Sequence, residues 1–357
     1  MKRWLAPDVY ASLRFKVYRY RFLLVYIVIG VVSLWIEILV IRGVQYLGLA
    51  FGPAQIVGLV ASILFAFWMN ARFNFKVPVV KRNRTLAYFA VISIISAAFN
   101  YAFRRELLSH GWSFEQARFA ISGILFSLVY LLHRRFTFAD RKQVGVAVYA
   151  NGVEDIRTIR DKIGDFPDFI HVDLIDASFG ATDADVRSYR LEAVRAYWPK
   201  RKIHVHLMTR HPLRWLPEVA PHADLIIVHA EIDDPLDVVF EQIRRAGCQR
   251  GLCLQMHTPG DAAQPWLEVL QVVMLLTIPT PGVSGQTFQL AALDKVREIN
   301  AWPRRTQFAL CVDGGVSEHN IHLLNVELVV SGSSVLTAAD PAGQIMRLQT
   351  SNNHEAI

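Results

Sequence analysis

Residues 168–176 read DFIHVDLID. In an extended strand successive side chains alternate faces, so His171 and Asp173 share one face while Ile170, Val172 and Leu174 share the other. Seven more short runs resemble it in length and β-branched content: 145–149 (GVAVY), 202–207 (KIHVHL), 224–229 (DLIIVH), 251–255 (GLCLQ), 272–278 (VVMLLTI), 307–312 (QFALCV) and 327–331 (ELVVS). Amphipathic helical stretches such as Val153–Ile163 and Leu236–Ala246 separate them. Strands alternating with helices need parallel crossovers, which buries the strands on both faces.

Eight such units within 144–348 predict an α/β TIM (β/α)8 barrel, whose functional groups sit at the C-terminal ends of its strands. Polar residues gather at those ends: His171-Val172-Asp173, His204-Val205-His206, His229-Ala230-Glu231 and Asp313-Gly314-Gly315. Two imidazoles and two carboxylates from this set, His171, Asp173, His206 and Asp313, make a mixed N/O ligand group for one divalent cation. Zn²⁺ suits it best, with Fe²⁺ and Mn²⁺ as alternatives. Three small-residue loops follow late strands: Pro281-Gly282-Val283-Ser284-Gly285-Gln286, then Gly314-Gly315, then Gly332-Ser333. Glycine lets backbone N–H groups approach a phosphate closely, and these barrels often place phosphate beside strands seven and eight.

The first part of the chain is different. The whole chain is 53% hydrophobic, which excludes disorder and a collagen-like chain. Residues 1–143 carry 19 Lys+Arg against 5 Asp+Glu, whereas residues 144–357 carry 19 against 26. The basic charge lies among apolar runs, which argues against nucleic acid as a partner. Four runs are candidate membrane spans: Phe22–Ile41, Leu49–Met69, Leu86–Phe103 and the shorter Phe119–Leu132. The first lacks the short apolar core and cleavage site of a signal peptide. Residues 1–20 are basic and aromatic, either an interfacial segment or a solvated tail. Basic residues crowd the N-terminal flank, the second loop and the exit of the fourth span. The positive-inside rule then expects a multi-pass protein of the inner (plasma) membrane with both termini and the barrel in the cytoplasm. The three cysteines, Cys248, Cys253 and Cys311, have no paired spacing and are expected as reduced thiols.

An internal repeat runs at an offset of 63 residues. Arg21-Phe22-Leu23 aligns with Arg84-Thr85-Leu86, Glu37 with Asn100, Arg42 with Arg105, and Asn70-Ala71-Arg72-Phe73-Asn74-Phe75 with His133-Arg134-Arg135-Phe136-Thr137-Phe138. Two tandem helical hairpins explain it. Glu37, Asn100 and Asn70 are the polar residues within the spans. They form either a polar site for a head group or, for Glu37, a side chain reaching interfacial water and, for Asn70, a helix-end hydrogen bond. Arg72 and Arg135 either bind lipid phosphate or simply set topology. The repeat with its two R-F-x-F endings resembles the GtrA-like family of four-helix membrane proteins. The resemblance implies a role in moving polyprenyl-phosphate-linked sugars and in cell-surface polysaccharide synthesis.

The second part resembles the ribulose-phosphate 3-epimerase family through His171-Val172-Asp173-Leu174-Ile175-Asp176, His206-Leu207-Met208, Val228-His229-Ala230-Glu231, Pro281-Gly-Val-Ser-Gly-Gln286, Val312-Asp313-Gly314-Gly315 and Ser331-Gly332-Ser333. The resemblance implies that all four metal ligands are present and that Asp173 and Asp313 also serve as acid and base at C3. Inversion suits two carboxylates on opposite faces, because a single base would tend to return the proton to the face it left. The chain departs from the family pattern at Tyr149 (usually serine), at Ala177–Thr182 (usually Gly-His-Phe-Val-Pro-Asn), at Ile175 and Thr277 (usually methionine) and at Thr280 (usually asparagine).

The sequence therefore divides into a basic segment 1–20, an all-α polytopic membrane domain 21–138, a linker 139–143, the barrel 144–348 and a tail 349–357. The expected activity is metal-dependent epimerisation of a phosphosugar at the membrane. The alternative is a catalytically inactive barrel that senses a phosphosugar and regulates lipid-linked sugar transport. Membrane lipid is an expected partner, and a homo-oligomer is left open.

Overall fold

The computed structural model describes residue 17 and residues 20–138, 141–149, 154–179 and 189–351. The rest of segment 1–20, linker residues 139–140, loop residues 180–182 and the tail beyond 351 lie outside the described residues. The chain divides into two units, Met1–Arg141 and Lys142–Ile357.

The first unit contains α1 (Arg21–Tyr46), α2 (Phe51–Met69), α3 (Arg82–Ser109) and α4 (Phe114–Leu132). All four are long and apolar enough to cross a membrane. α1 and α3 run past the apolar stretches of the sequence, because Arg104, Arg105 and Glu106 continue the helical backbone of α3. Large apolar side chains point outward, Val28, Leu39, Ile56, Ile94 and Ile124 among them. That pattern suits lipid as solvent. Small residues instead bring the helices together. Ala54, Gly58 and Ser62 form a buried stripe on α2. A Cβ on Gly58 would lie 2.6 Å from Ile41 Cγ1 and 2.9 Å from the Glu37 carbonyl oxygen. α4 starts with a capping box, in which Gln116 N–H donates to Ser113 Oγ and Ser113 N–H donates to Gln116 Oε1.

The 63-residue repeat has a structural counterpart. α2 and α4 each end in a five-residue π-turn, Asn70–Asn74 and His133–Thr137. Each turn carries the same internal bond: Asn74 Nδ2 donates to Asn70 Oδ1 at 2.9 Å, and His133 Nδ1 meets Thr137 Oγ1 at 2.9 Å. The next residues, Phe75 and Phe138, stack on one another at 4.2 Å.

The second unit is a closed parallel barrel of eight strands in sequence order. These are β1 (Gln143–Tyr149), β2 (Phe169–Ile175), β3 (Lys202–Met208), β4 (Leu225–His229), β5 (Gln249–Leu254), β6 (Val272–Leu276), β7 (Ala309–Asp313) and β8 (Leu328–Ser331). The helices between them include α5 (Ile156–Ile163), α6 (Tyr189–Tyr197), α7 (Pro212–Val219), α8 (Leu236–Arg245) and α9 (Ala292–Asn300). The barrel is the expected (β/α)8 fold, with two connections that are not α-helical. β5 is followed by a 3-10 turn, Gly260–Trp266, where Pro259 and Pro265 disfavour an α-helix, and β7 by another at Ile321–Leu323.

One apolar layer fills the space between strands and helices, with Val172, Leu174, Val205, Leu207 and Trp198 in it. A second fills the barrel interior, with Phe169, Leu225, Ile227, Met274 and Cys311. At the N-terminal end Arg305 Nη2 donates to Glu327 Oε2 at 2.7 Å, and the same oxygen accepts from Leu310 N–H, tying β7 to β8. That leaves the opposite end for the site.

Candidate active site

Phe169, His171 and Asp173 climb the inner face of β2 two residues at a time. Phe169 is packed in the interior layer, stacked on His204 of β3 at 4.1 Å. Asp173 lies beside His206 in the β2–β3 register. His171, Asp173, His206 and Asp313 bring four ligand atoms within 4.8 Å of one another. His206 Nδ1 lies 3.1 Å from Asp173 Oδ1 and 3.8 Å from Asp313 Oδ2. His171 Nε2 lies 3.2 Å and 3.7 Å from the same two oxygens.

His171 is fully buried, yet neither ring nitrogen has a hydrogen-bond partner. A buried imidazole nitrogen facing two carboxylates without a hydrogen bond leaves room for a cation, and the N₂O₂ set fits a divalent ion. Burial opposes positive charge on His171, but Asp173 and Asp313 outweigh it and raise its proton affinity. The same pull would act on a metal ion. Without a cation the two carboxyls differ. Burial disfavours charge on Asp173, but His171 and His206 overcome it and hold this group well below the usual carboxylate range. Burial, reinforced by Asp173, pushes Asp313 upward.

A chain of contacts leaves the cluster on its far side. His206 Nε2 meets His229 Nε2 at 2.7 Å, and His229 Nδ1 meets Glu231 Oε2 at 3.0 Å. Glu231 Oε1 accepts from Gln255 N–H at 3.2 Å and from the Thr258 hydroxyl. The VHAE motif was visible at the end of strand four, but that it backs His206 follows only from the β3–β4 pairing.

The small-residue loops converge above the cluster. Gly282, Ser284, Gly285, Gly314, Gly315, Gly332 and Ser333 line one cavity of about 40 Å³ together with Asp173 and Asp313. Gly315 has φ +68°, and a Cβ there would lie 2.5 Å from the Phe288 amide nitrogen. Thr277 holds the loop after β7, its hydroxyl donating toward the carbonyls of Asp313 (2.8 Å) and Gly314 (2.5 Å). Tyr149 also lines this cavity. Burial, with Asp173 and Asp313 adding, raises its phenol so that it stays a neutral hydroxyl. Ile175 presses against the loop, and a Cβ on Gly282 would lie 2.3 Å from its Cδ1.

The first unit has a separate cavity of about 150 Å³. Glu37 lines it, but Asn100 and Asn70 are not among its lining residues. Asn100 donates to Ser122 Oγ at 3.3 Å, and Asn70 donates to the Ala66 carbonyl within its own helix at 2.9 Å. Glu37 Oε2 accepts from Arg118 Nη2 at 2.5 Å and from the Ser62 hydroxyl at 3.4 Å. Nothing in a one-dimensional pattern pairs residues 81 positions apart, so the sequence alone does not show this contact. Ser33, Ser62, Ser93, Ser96 and Ser122 also line this cavity.

Comparison with known proteins agrees with both halves. Residues 147–336 match the model described as the ribulose-phosphate 3 epimerase family, and residues 25–138 match the one described as GtrA/DPMS, transmembrane domain. The ribulose-phosphate 3-epimerase of Bacillus subtilis (strain 168) is 30% identical over 191 residues, covering 52% of this chain and 87% of its own length. That of Escherichia coli (strain K12) is 30% identical over 179 residues, covering 48% and 79%. That of Mycobacterium tuberculosis (strain CDC 1551 / Oshkosh) is 30% identical over 193 residues, covering 51% and 81%.

Proposed function

The chain belongs to the ribulose-phosphate 3-epimerase family, and on that premise we propose that its barrel inverts C3 of a ketose phosphate with Asp173 and Asp313 as the proton-transfer pair. The observation that carries this reading is the pair of carboxylates, brought from β2 and β7 to the same imidazole nitrogen of His171. Backbone N–H groups of the loops at Gly282–Gly285, Gly314–Gly315 and Gly332–Ser333 hold the phosphate and fix the sugar chain over the cluster. One aspartate, as carboxylate, takes the C3 proton, and the other, as acid, returns a proton to the opposite face. The opposed shifts of Asp173 and Asp313 support such a division. His171, Asp173, His206 and Asp313 would hold a divalent cation, Zn²⁺ before Fe²⁺ or Mn²⁺, which stabilises negative charge on the substrate oxygens. Tyr149 lines the cavity where serine is usual in the family, and its larger side chain leaves less space, so the substrate is narrower than for relatives with serine there. The test is turnover of ribulose 5-phosphate and shorter ketose phosphates by the full chain in detergent, with each metal added. Turnover of none of them by metal-loaded protein would move the reading to a phosphosugar-sensing barrel, the reading that the same small cavity favours.

The four apolar helices of the first unit support a membrane setting for this chemistry. The basic loops support a plasma-membrane protein with both termini and the barrel in the cytoplasm. Its cavity supports binding of a lipid-linked sugar through the sugar. The cation lining it is already paired with Glu37, so the site is close to neutral, while the serine oxygens offer acceptors for sugar hydroxyls. Polyprenyl phosphate with and without a hexose, titrated against the full chain in nanodiscs, tests this. The hexose should tighten binding, and Ser62→Val should remove the gain. Equal binding of both lipids would rule it out.

A further inference from the structure

A buried arginine near the end of α3 has no acceptor. Arg104 is only 7% exposed, and among the described residues its guanidinium makes no hydrogen bond and no ion pair. What it touches are ring faces. Its Cζ lies 5.7 Å from the Tyr101 centroid and 4.8 Å from that of Phe114, the first residue of α4. Ring faces attract the flat side of a guanidinium, but they accept none of its five N–H groups, which point outward in its plane. The neighbouring carboxylates are engaged elsewhere. Glu37 accepts from Arg118, Glu115 accepts from Arg42 at 2.7 Å, and exposed Glu106 faces His110 at 3.8 Å. Arg118 adds to the deficit, because its own Nε is buried without an acceptor. Arg104 interacts electrostatically with both Arg118 and Glu37. Two guanidiniums thus share one carboxylate, and the group keeps one uncompensated positive charge away from water. Such a charge is costly unless an anion joins it.

Depth indicates which anion. α3 has 28 residues, about 42 Å of helix against ~30 Å of hydrocarbon. Arg104 lies five residues before its last residue, at the end of the bundle away from the two π-turns, which is headgroup depth. Phosphate is the common anion at that depth, and its oxygens match the guanidinium fork. We propose that Arg104 is the centre of an anion site that takes a phosphate group. Tyr101 and Phe114 hold the faces of the guanidinium and leave its N–H edge for phosphate oxygens, while Arg118 adds positive potential. The site is separate from the serine-lined cavity, which Arg104 does not line, and it needs no sugar. Arg105, the next residue, is exposed and supplies the comparison: the same charge at nearly the same depth without burial.

The test uses the full chain in a maltoside detergent, which carries no phosphate. Native mass spectrometry counts bound phosphatidic acid, with diacylglycerol as the same lipid without its phosphate. Wild type should hold the first and not the second. Arg104→Gln should weaken binding of phosphatidic acid about 10-fold or more, the worth of hydrogen bonds to a charged group. Arg104→Lys keeps the charge but not the fork and should lose roughly threefold or more. Arg105→Gln removes an equal charge from an exposed position and should stay within about twofold of wild type. Inorganic phosphate is added as the second arm. Displacement of the lipid assigns the site to free phosphate, and retention assigns it to a lipid headgroup; either keeps the anion site. Wild-type binding by folded Arg104→Gln, or equal losses in Arg104→Gln and Arg105→Gln, would overturn the proposal, as would equal binding of diacylglycerol by wild type. Should Arg104→Gln fail to fold, Arg104→Lys decides, and undiminished binding by it counts against the site. No probe here carries a sugar, so a negative result leaves the sugar reading of the neighbouring cavity untouched, and equal binding of the two polyprenyl lipids leaves the anion site standing.

Discussion

Arg118 of α4 donates to Glu37 of α1 at 2.5 Å, and along the same two helices the charges are exchanged: Arg42 of α1 donates to Glu115 of α4 at 2.7 Å. Residue numbers rise along α1 while they fall along α4 between the two pairs, as antiparallel helices require. The pairs differ in what surrounds them. The side chains of Arg118 and Glu37 are 10% and 7% exposed, those of Arg42 and Glu115 67% and 35%. Removing one partner of a buried pair strands the other charge. Glu37→Gln should therefore destabilise the folded chain by about 3–5 kcal/mol, while Arg42→Ala should cost less than about 1 kcal/mol. Thermal unfolding in one detergent compares them. Equal costs would show that burial does not separate the pairs, and recovery in Glu37→Arg with Arg118→Glu would confirm the contact.

Topology follows from where the basic loops fall. Reporter fusions at Lys142 and within Leu107–Phe114 should report opposite sides of the membrane. The segment between α3 and α4 starts at His110, and α4 separates it from Lys142. The same side for both would remove α4 as a span.

Much of this architecture was legible in one dimension, for definable reasons. All eight strands were readable because parallel strands buried on both faces leave short β-branched runs. The cluster was readable because alternation puts His171 beside Asp173 on one face of β2. The hairpin repeat was readable because its endings carry aromatic and basic residues at fixed offsets. What escaped depends on pairing across space. Arg118 meets Glu37 only once α4 lies against α1, and His229 backs His206 only through the β3–β4 neighbourhood. The connection after strand five is a 3-10 turn and not an α-helix, where Pro259 and Pro265 disfavour the α form. Of the two readings given for Asn70, the helix-end hydrogen bond is the one observed, to the Ala66 carbonyl.

The three cysteines are free and buried. Burial pushes the thiols of Cys253 and Cys311 far above the ordinary range, which leaves almost no thiolate near neutrality. Native protein treated with a disulfide reagent at pH 8 should leave both unmodified over minutes, whereas denatured protein should titrate three thiols. Fewer than three after denaturation would indicate a disulfide or another modification.

A substitution at Gly315 tests the proposed phosphate site separately from the proposed metal site. Its φ of +68° disfavours any side chain, and a Cβ would press on the Phe288 backbone. Gly315→Ala should weaken phosphosugar binding by at least about 10-fold, roughly the loss of one good backbone hydrogen bond to a charged group. The Zn²⁺ affinity should change little, since no metal ligand lies on that loop beyond Asp313. Calorimetry with a ketose phosphate and chelator competition measure the two. Parallel loss of both would mean that the loop and the cluster are one mechanical unit.

The proton-transfer pair makes the most exacting claim. Asp173 lies two residues before the end of β2 and Asp313 ends β7, with β1 and β8 between them in the barrel wall, so their carboxyls approach the mouth from different sides. If one serves each face of the sugar, wild type in deuterated water should place solvent deuterium at C3. Asp173→Asn and Asp313→Asn should each lose epimerisation by at least about 10²-fold, a typical contribution of a positioned acid or base. The two reactions need not fall together. A variant that retains the base for one epimer can still remove and return the proton on that face. It would then wash deuterium into that epimer alone without inverting it, and the other variant should show the mirror preference. Both residues also belong to the ligand cluster, so bound metal must be counted in the same samples. Full inversion by either metal-loaded variant would sink the two-aspartate mechanism. Equal loss of exchange into both epimers, with metal retained, would point instead to one base that serves both faces.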